Sequence, residues 1–153
     1  MYATALGSVT PLYTVMVKTR VDGQIMAIHY KEGDMVPQGA PLVEIDPRPY
    51  EAQLEQYKGQ LKRDEALLAN AKVDLVRYAT LMKTNAVPEQ TYATQQAFVA
   101  QDEGQVAIDK GLIGATNLNI AYCHIAAPLT GRIGLRLVYP GNSCRPPAER
   151  PCW

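Results

Sequence analysis

Long hydrophobic runs are missing from this sequence: no stretch approaches the ~18–20 apolar residues that span a bilayer. One Phe and one Trp stand beside nine Tyr, thin stock for a large globular core. An excess of either charge is missing too, with 15 basic and 15 acidic side chains, so no electrostatic footprint for nucleic acid is present. The three cysteines, Cys123, Cys144 and Cys152, are odd in number and lack CxxC spacing, which argues against a disulfide framework or a zinc site. No nucleophile–base pair, phosphate-cradling glycine loop or metal-ligand cluster is found. The sequence therefore reads as no enzyme, with no catalytic residue, metal or cofactor expected. The opening stretch, MYATALGSVTPLYTVMVKTR, has no basic region followed by an unbroken apolar one, so no signal peptide is expected in this chain.

What is present falls into three segments within 153 residues, a length that suits one domain. The first, residues 1–46, is β-rich. YTVMVKTRVDGQIMAIHY (13–30) is dense in Val, Ile, Thr and Tyr and has a turn expected at Asp22 and Gly23. Further turns are expected around Gly33 and Gly39, and a short strand over 41–45. His29 alternates with apolar neighbours and should half-face solvent.

The second segment, 47–120, is helical. Leu54, Leu61, Leu68, Leu75 and Met82 recur every seven residues, with Tyr50, Tyr57, Ala71 and Tyr78 at companion positions and Asp64 as the polar intruder. After a break at 84–88, the interval returns in Tyr92, Val99, Val106, Ile113 and Ile120. This predicts an antiparallel helical hairpin with a coiled-coil seam. Asp46 and Pro47 should cap its first helix, and Pro88 should sit in the first turn of its second. At ~1.5 Å per residue, some 35 residues make a rod of roughly 50 Å. A two-helix rod has little core of its own, which marks it as an interaction device.

The third segment, 121–142, returns to β and repeats the first. VDGQIMAIHYKEGDMV (21–36) aligns without gaps to LTGRIGLRLVYPGNSC (129–144), matching Gly23 to Gly131, Ile25 to Ile133 and Gly33 to Gly141. Two such halves around a long insertion predict one quasi-symmetric β-unit. Cys123, in a strand-like run beside His124, should be a buried thiol.

VxGxI…EGDxVxxGxxLVEID, then a helical hairpin, then IxAPxxGRIG…VxPGN resembles the periplasmic adaptor proteins, or membrane fusion proteins, of RND multidrug efflux pumps within the broader HlyD family. The resemblance runs from about residue 7 to 142. It implies an α+β fold: a split lipoyl-like β-sandwich (barrel-sandwich hybrid) interrupted by a long antiparallel coiled-coil hairpin. It further implies a periplasmic adaptor, associated with the inner membrane when full-length, that links an inner-membrane RND transporter to a TolC-like outer-membrane channel. The adaptors self-associate in a ring, and the hairpin tip meets the channel. The family's channel-contact motif is an Arg, a Leu four residues later and a Ser eleven after the Arg. Arg77 and Leu81 match the first two positions, and Pro88 replaces the Ser. The turn glycines implied by the fold are Gly23, Gly33, Gly131 and Gly141.

Three other readings compete, of which a purely structural coiled-coil assembly protein leaves the paired β halves unexplained. A lipoyl or biotin carrier pairs similar β halves but needs a modifiable Lys on the tight turn between them, where this chain has some seventy helical residues. An adaptor of an ABC-type exporter shares the architecture, although protein-secretion adaptors tend to have longer coiled coils. After Asn142 the resemblance fails: SCRPPAERPCW (143–153) is expected to form no strand and to be an aberrant or truncated tail that leaves a β edge unpaired. The domains that contact the pump in the family are not recognised in this chain.

Overall fold

A computed structural model describes residues 10–84, 86–136 and 138–144. In order the elements are β1 (Gly23–Ile28), β2 (Met35–Val36), β3 (Pro41–Ile45), α1 (Arg48–Lys83), α2 (Glu89–Cys123), β4 (His124–Ala126), β5 (Gly131–Arg132) and β6 (Ser143–Cys144). The heptad pattern becomes an antiparallel hairpin. Its α1 has 36 residues and α2 has 35, which at ~1.5 Å per residue gives a rod of roughly 50 Å. The rod opens with Pro49 in the first turn of α1, where a missing N–H costs nothing. It turns where the Leu81 carbonyl accepts from Thr84 N–H at 3.2 Å, Thr84 Oγ1 at 2.8 Å and Ala86 N–H at 3.0 Å.

The seam is apolar on one side and mixed on the other. The five sevenfold residues of α1 are half-buried, and Val99 and Val106 of α2 are buried. Companion positions on α2 are Gln95, Asp102, Asp109, Thr116 and Cys123, of which the last three are buried. Asp64, the intruder in the pattern, is the one fully buried residue of α1. Register is fixed across the seam by Lys72 Nζ on Glu103 Oε1 at 2.8 Å, Lys110 Nζ on Glu65 Oε1 at 3.4 Å, and Gln95 Nε2 donating to the Ala71 carbonyl at 3.1 Å.

The β-unit has a four-stranded sheet, ordered β4-β3-β1-β6, and a separate pair, β2-β5, all antiparallel. The sequence repeat is visible in the pairing. Gly23 faces Cys144 and Gln24 faces Ser143. The equivalent residues of the other half, Gly131 and Arg132, face Val36 and Met35, the equivalents of Cys144 and Ser143. β1 and β2 of the first half thus pair with β6 and β5 of the second at equivalent positions, and the two halves are related by a pseudo-twofold.

The joint between rod and β-unit is a small core of Val21, Ile45 and Cys123, with Tyr50, Tyr122 and Ile125 packed on it. Tyr50 Oη donates to the Asp22 carbonyl at 2.7 Å, and burial raises its pKa. Burial likewise raises the Cys123 thiol.

Several sequence expectations are corrected. Residues 121–123 continue α2, so Cys123 is a buried helical residue whose Sγ reaches the Asn119 carbonyl at 3.3 Å. The helix continues because its sevenfold spacing still faces Tyr50 and the β-unit. Gly23 lies inside β1 and not in a turn, since it pairs with Cys144. Residues 10–22 form no strand: no described strand flanks them, and Leu12 and Tyr13 are exposed beside an apolar trough of about 810 Å³. Pro47, without a side-chain hydrogen bond, is the N-cap of α1, while Asp46 accepts from the Arg48 N–H at 3.1 Å one residue outside. Pro88 is the N-cap of α2, one position before its first turn. Ser143 and Cys144, assigned above to the tail, pair with β1. The remaining tail, 145–153 with Cys152, lies outside the described residues.

Candidate functional site: the hairpin tip

The sequence points to the far end of the rod. Arg77 and Leu81 share one face of the last two turns of α1 at i,i+4 spacing. The Arg77 side chain is 67% exposed, and its Nη1 bonds Asp74 Oδ1 at 3.0 Å. That leaves guanidinium donors for a second acceptor. Leu81 is 36% exposed, and Val76, within the same two turns, is more open. Together they present a cationic fork next to apolar surface. Pro88 stands across the turn, where its carbonyl accepts from Thr91 N–H at 3.0 Å. Its backbone (φ −62°, ψ 144°) holds the chain extended until the helix begins.

Pro88 also lines a shallow groove of about 430 Å³ with Tyr78, Gln90, Thr91, Thr94, Gln95 and Phe98. Sequence reasoning missed this groove. The signal was there: Phe98, the only Phe of the chain, precedes the seam residue Val99 and is 52% exposed. A large aromatic one place off a coiled-coil seam is surface by design of the pattern. The tip thus has two faces, Arg77 with Leu81 on α1, and an uncharged aromatic and hydroxyl groove between α1 and α2.

The turn glycines behave differently from one another. Gly33 (φ 83°) and Gly141 (φ 94°) occupy equivalent left-handed turns of the two halves. Gly23 is required by space: a Cβ there would lie 2.5 Å from Ile45 Cγ2. At Gly131 the nearest atom would be Leu129 Cδ1 at 3.2 Å. Among the described residues no group of three His, Cys, Asp or Glu side chains is arranged to hold a metal, and no helix is long and apolar enough to cross a membrane.

A pseudo-symmetric β-unit split by a helical hairpin is the architecture of a membrane fusion protein. Residues 13–147 match the family described as RND MFP, barrel-sandwich hybrid domain, and the chain belongs to that family. It is 50% identical over 141 residues to the multidrug resistance protein MdtA of Proteus mirabilis (strain HI4320), covering 92% of this chain and 34% of the relative. The chain therefore spans about a third of the length of the curated relatives it matches. Among solved structures it is similar to a MacA-MexA chimeric protein containing the Pseudomonas aeruginosa MexA α-hairpin domain. That likeness has a TM-score of 0.53 at 28% identity, covering 92% of this chain and 44% of the other. MacA from Actinobacillus actinomycetemcomitans shares the fold with a TM-score of 0.52 at 21% identity, covering 92% and 48%.

Proposed function

We propose that this chain is the lipoyl-like and hairpin part of a periplasmic adaptor that joins an inner-membrane RND transporter to a TolC-like outer-membrane channel for multidrug export. The observation that carries the reading is the rod itself: a β-unit whose halves complete each other, with some seventy residues projected away from it, in a chain half identical to MdtA. Strands β1–β3 and β4–β6 form the base in this reading, and helices α1 and α2 form the reaching arm. The tip residues Arg77, Leu81 and Pro88 meet the channel.

Self-association in a ring belongs to the same proposal. Helix α1 carries twelve charged side chains and α2 five. Ala93, Ala100, Ala107, Gly114 and Ala121 recur at sevenfold spacing on an exposed side of α2, near exposed Ile108 and Leu118. Such a face tolerates close approach of a neighbouring helix.

The test is a chimera in which residues 13–142 replace the matching third of the Proteus mirabilis protein. Expressed in a strain lacking its own adaptor, it should restore drug tolerance. A chimera that accumulates in the periplasm but restores nothing overturns the reading.

A further inference from the structure

The two long sides of the hairpin are unlike. On one side the residues flanking the seam are charged and joined across it, Lys72 to Glu103 at 2.8 Å and Glu65 to Lys110 at 3.4 Å. The other side is formed by the residue that immediately precedes each sevenfold seam residue. Among those positions only Asp74 is charged, and it is already paired with Arg77 at 3.0 Å. Four are large and apolar: Leu81, Phe98, Leu67 and Leu112, each between 36% and 53% exposed.

Their order adds a second regularity. The ion pairs across the seam fix a register that sets Asp74 level with Phe98, Leu67 with Gln105, and Gln60 with Leu112. From tip to base the apolar residues therefore run Leu81, Phe98, Leu67, Leu112, one heptad apart and alternately on α1 and α2. At each level the other helix offers a polar side chain. A second copy laid face to face and parallel places α1 on α2, so every apolar residue meets a polar one. Laid antiparallel, the copies place α1 on α1 and α2 on α2. About a twofold axis at Leu67, that residue meets its own equivalent, Phe98 meets Leu112 of the second copy, and Gln105 meets Gln105. The axis falls at the middle of both helices, so the rods overlap almost end to end.

We propose that this uncharged side of the hairpin is a self-docking surface on which two copies pair antiparallel, as a four-helix bundle. An isologous contact requires a surface that complements itself when turned about the axis. The spacing of these four residues meets that requirement in one orientation only, and covering them removes exposed apolar surface from water. The charged side has no such need, because its ion pairs close within one chain. The surface does not depend on the adaptor reading, and it lies on the opposite side of α2 from the Ala93 to Ala121 row assigned above to the ring.

The experiment is sedimentation equilibrium of the full chain across the micromolar range. The wild type should pass from monomer to dimer. Leu67→Glu sets two like charges at the axis, and Leu112→Glu sets a charge against each Phe98. Each should raise the dissociation constant by about tenfold or more, because the change enters every interface twice. Both positions are exposed, so the helical circular dichroism of the monomer should be kept. Ala107→Glu, on the other side of α2, should leave the dimer intact. Orientation is read by mild oxidation of cysteine variants made with Cys152→Ser, since Cys123 and Cys144 are buried. Leu67→Cys should link two copies. Gln60→Cys should not, because antiparallel pairing holds its two equivalents about 20 Å apart along the rod. A wild type that stays monomeric throughout overturns the proposal. So does a dimer that both glutamate variants leave untouched, or one in which Gln60→Cys links and Leu67→Cys does not. If one glutamate variant loses its helical signal the other decides, and if both do, the cysteine pair decides.

Discussion

Ile25 and Ile133 make the same two backbone hydrogen bonds, each to the turn of the opposite half. Ile25 N–H donates to the Asn142 carbonyl at 2.9 Å, and the Ile25 carbonyl accepts from Gly141 N–H at 2.9 Å. Ile133 N–H donates to the Asp34 carbonyl at 2.9 Å, and its carbonyl accepts from Gly33 N–H at 3.1 Å. Residues 108 apart in sequence are thus equivalent in space, and neither half satisfies its backbone alone. The base of the rod closes only when the chain returns from the hairpin.

That closure makes the glycines unequal. A Cβ at Gly23 would meet Ile45 Cγ2, a fully buried side chain, at 2.5 Å. Gly23→Ala should cost about 1–3 kcal/mol through overpacking. At Gly59, an exposed helical position, nothing lies within 4 Å of the added carbon. Gly59→Ala should stabilise by about 1 kcal/mol through helix propensity. Urea unfolding of the two variants beside the wild type gives opposite signs if the close approach at Gly23 is what matters.

Tyr50 tests the joint. Its hydroxyl is the one long-range side-chain hydrogen bond from the first turn of α1 to the β-unit among those described, at 2.7 Å to Asp22. Tyr50→Phe keeps the ring against Val21, Ile45 and Cys123 and removes only that bond. A loss of about 0.5–1.5 kcal/mol is expected. Amide exchange should quicken in residues 21–23 and 48–52 while the middle of the rod is unchanged.

The periodic parts of this architecture were legible in the sequence, and the reasons are physical. A sevenfold repeat needs only its own helix to be read, so both helices and the turn between them stood out. The β repeat was legible through glycines at matched spacing, because turns and close approaches admit few other residues. Strand lengths were not. Val15 and Val17 have strong β propensity, yet a strand exists only where another lies beside it. At Cys123, β-rich surroundings masked a helix that continues because the core at its end is tertiary. Asp64 read as an intruder until Asp109 was found opposite, and no local pattern in one helix announces a partner in the other. At the tip, Arg77 is a proposal that a motif suggests, whereas the groove at Phe98 needed both helices in place.

Acid should act at the base of the rod through Asp46. Hydrogen bonds from the Arg48 guanidinium, at 2.6 and 2.8 Å, hold its carboxyl below the usual value, helped by the Arg48 backbone N–H. A carboxyl with a depressed folded pKa contributes stability above its unfolded value (~3.9) and loses it as pH falls through the folded value. Asp46→Asn should therefore be less stable than the wild type near pH 7, and the difference should vanish toward about pH 2. Glu55 and Asp64, also held down by basic partners, are common to both chains. A difference that persists unchanged in acid would mean that Asp46 acts by shape and not by charge.

The tip separates recognition from folding. Arg77 has a single exposed ion pair, with Asp74, and exposed pairs of this kind contribute ~0–1 kcal/mol. Phe98 is half exposed, so trimming it removes little buried surface. Arg77→Asp and Phe98→Ala should each leave the unfolding midpoint of this chain nearly unchanged, with Phe98→Ala within about 1 kcal/mol. Placed in the chimera, each should reduce site-specific cross-linking to the outer-membrane channel and lower drug tolerance. Arg77→Asp should have the larger effect, because it turns an attraction for an acceptor into a repulsion. Arg77→Lys should fall between, since it keeps the charge but loses the planar fork. If Arg77→Asp weakens cross-linking and Phe98→Ala does not, the channel engages the α1 face alone. If Phe98→Ala matters as much, the partner spans the turn and fills the groove, and Pro88 shapes the contact by holding that groove open. If neither variant changes cross-linking, the tip is not where this hairpin meets its partner.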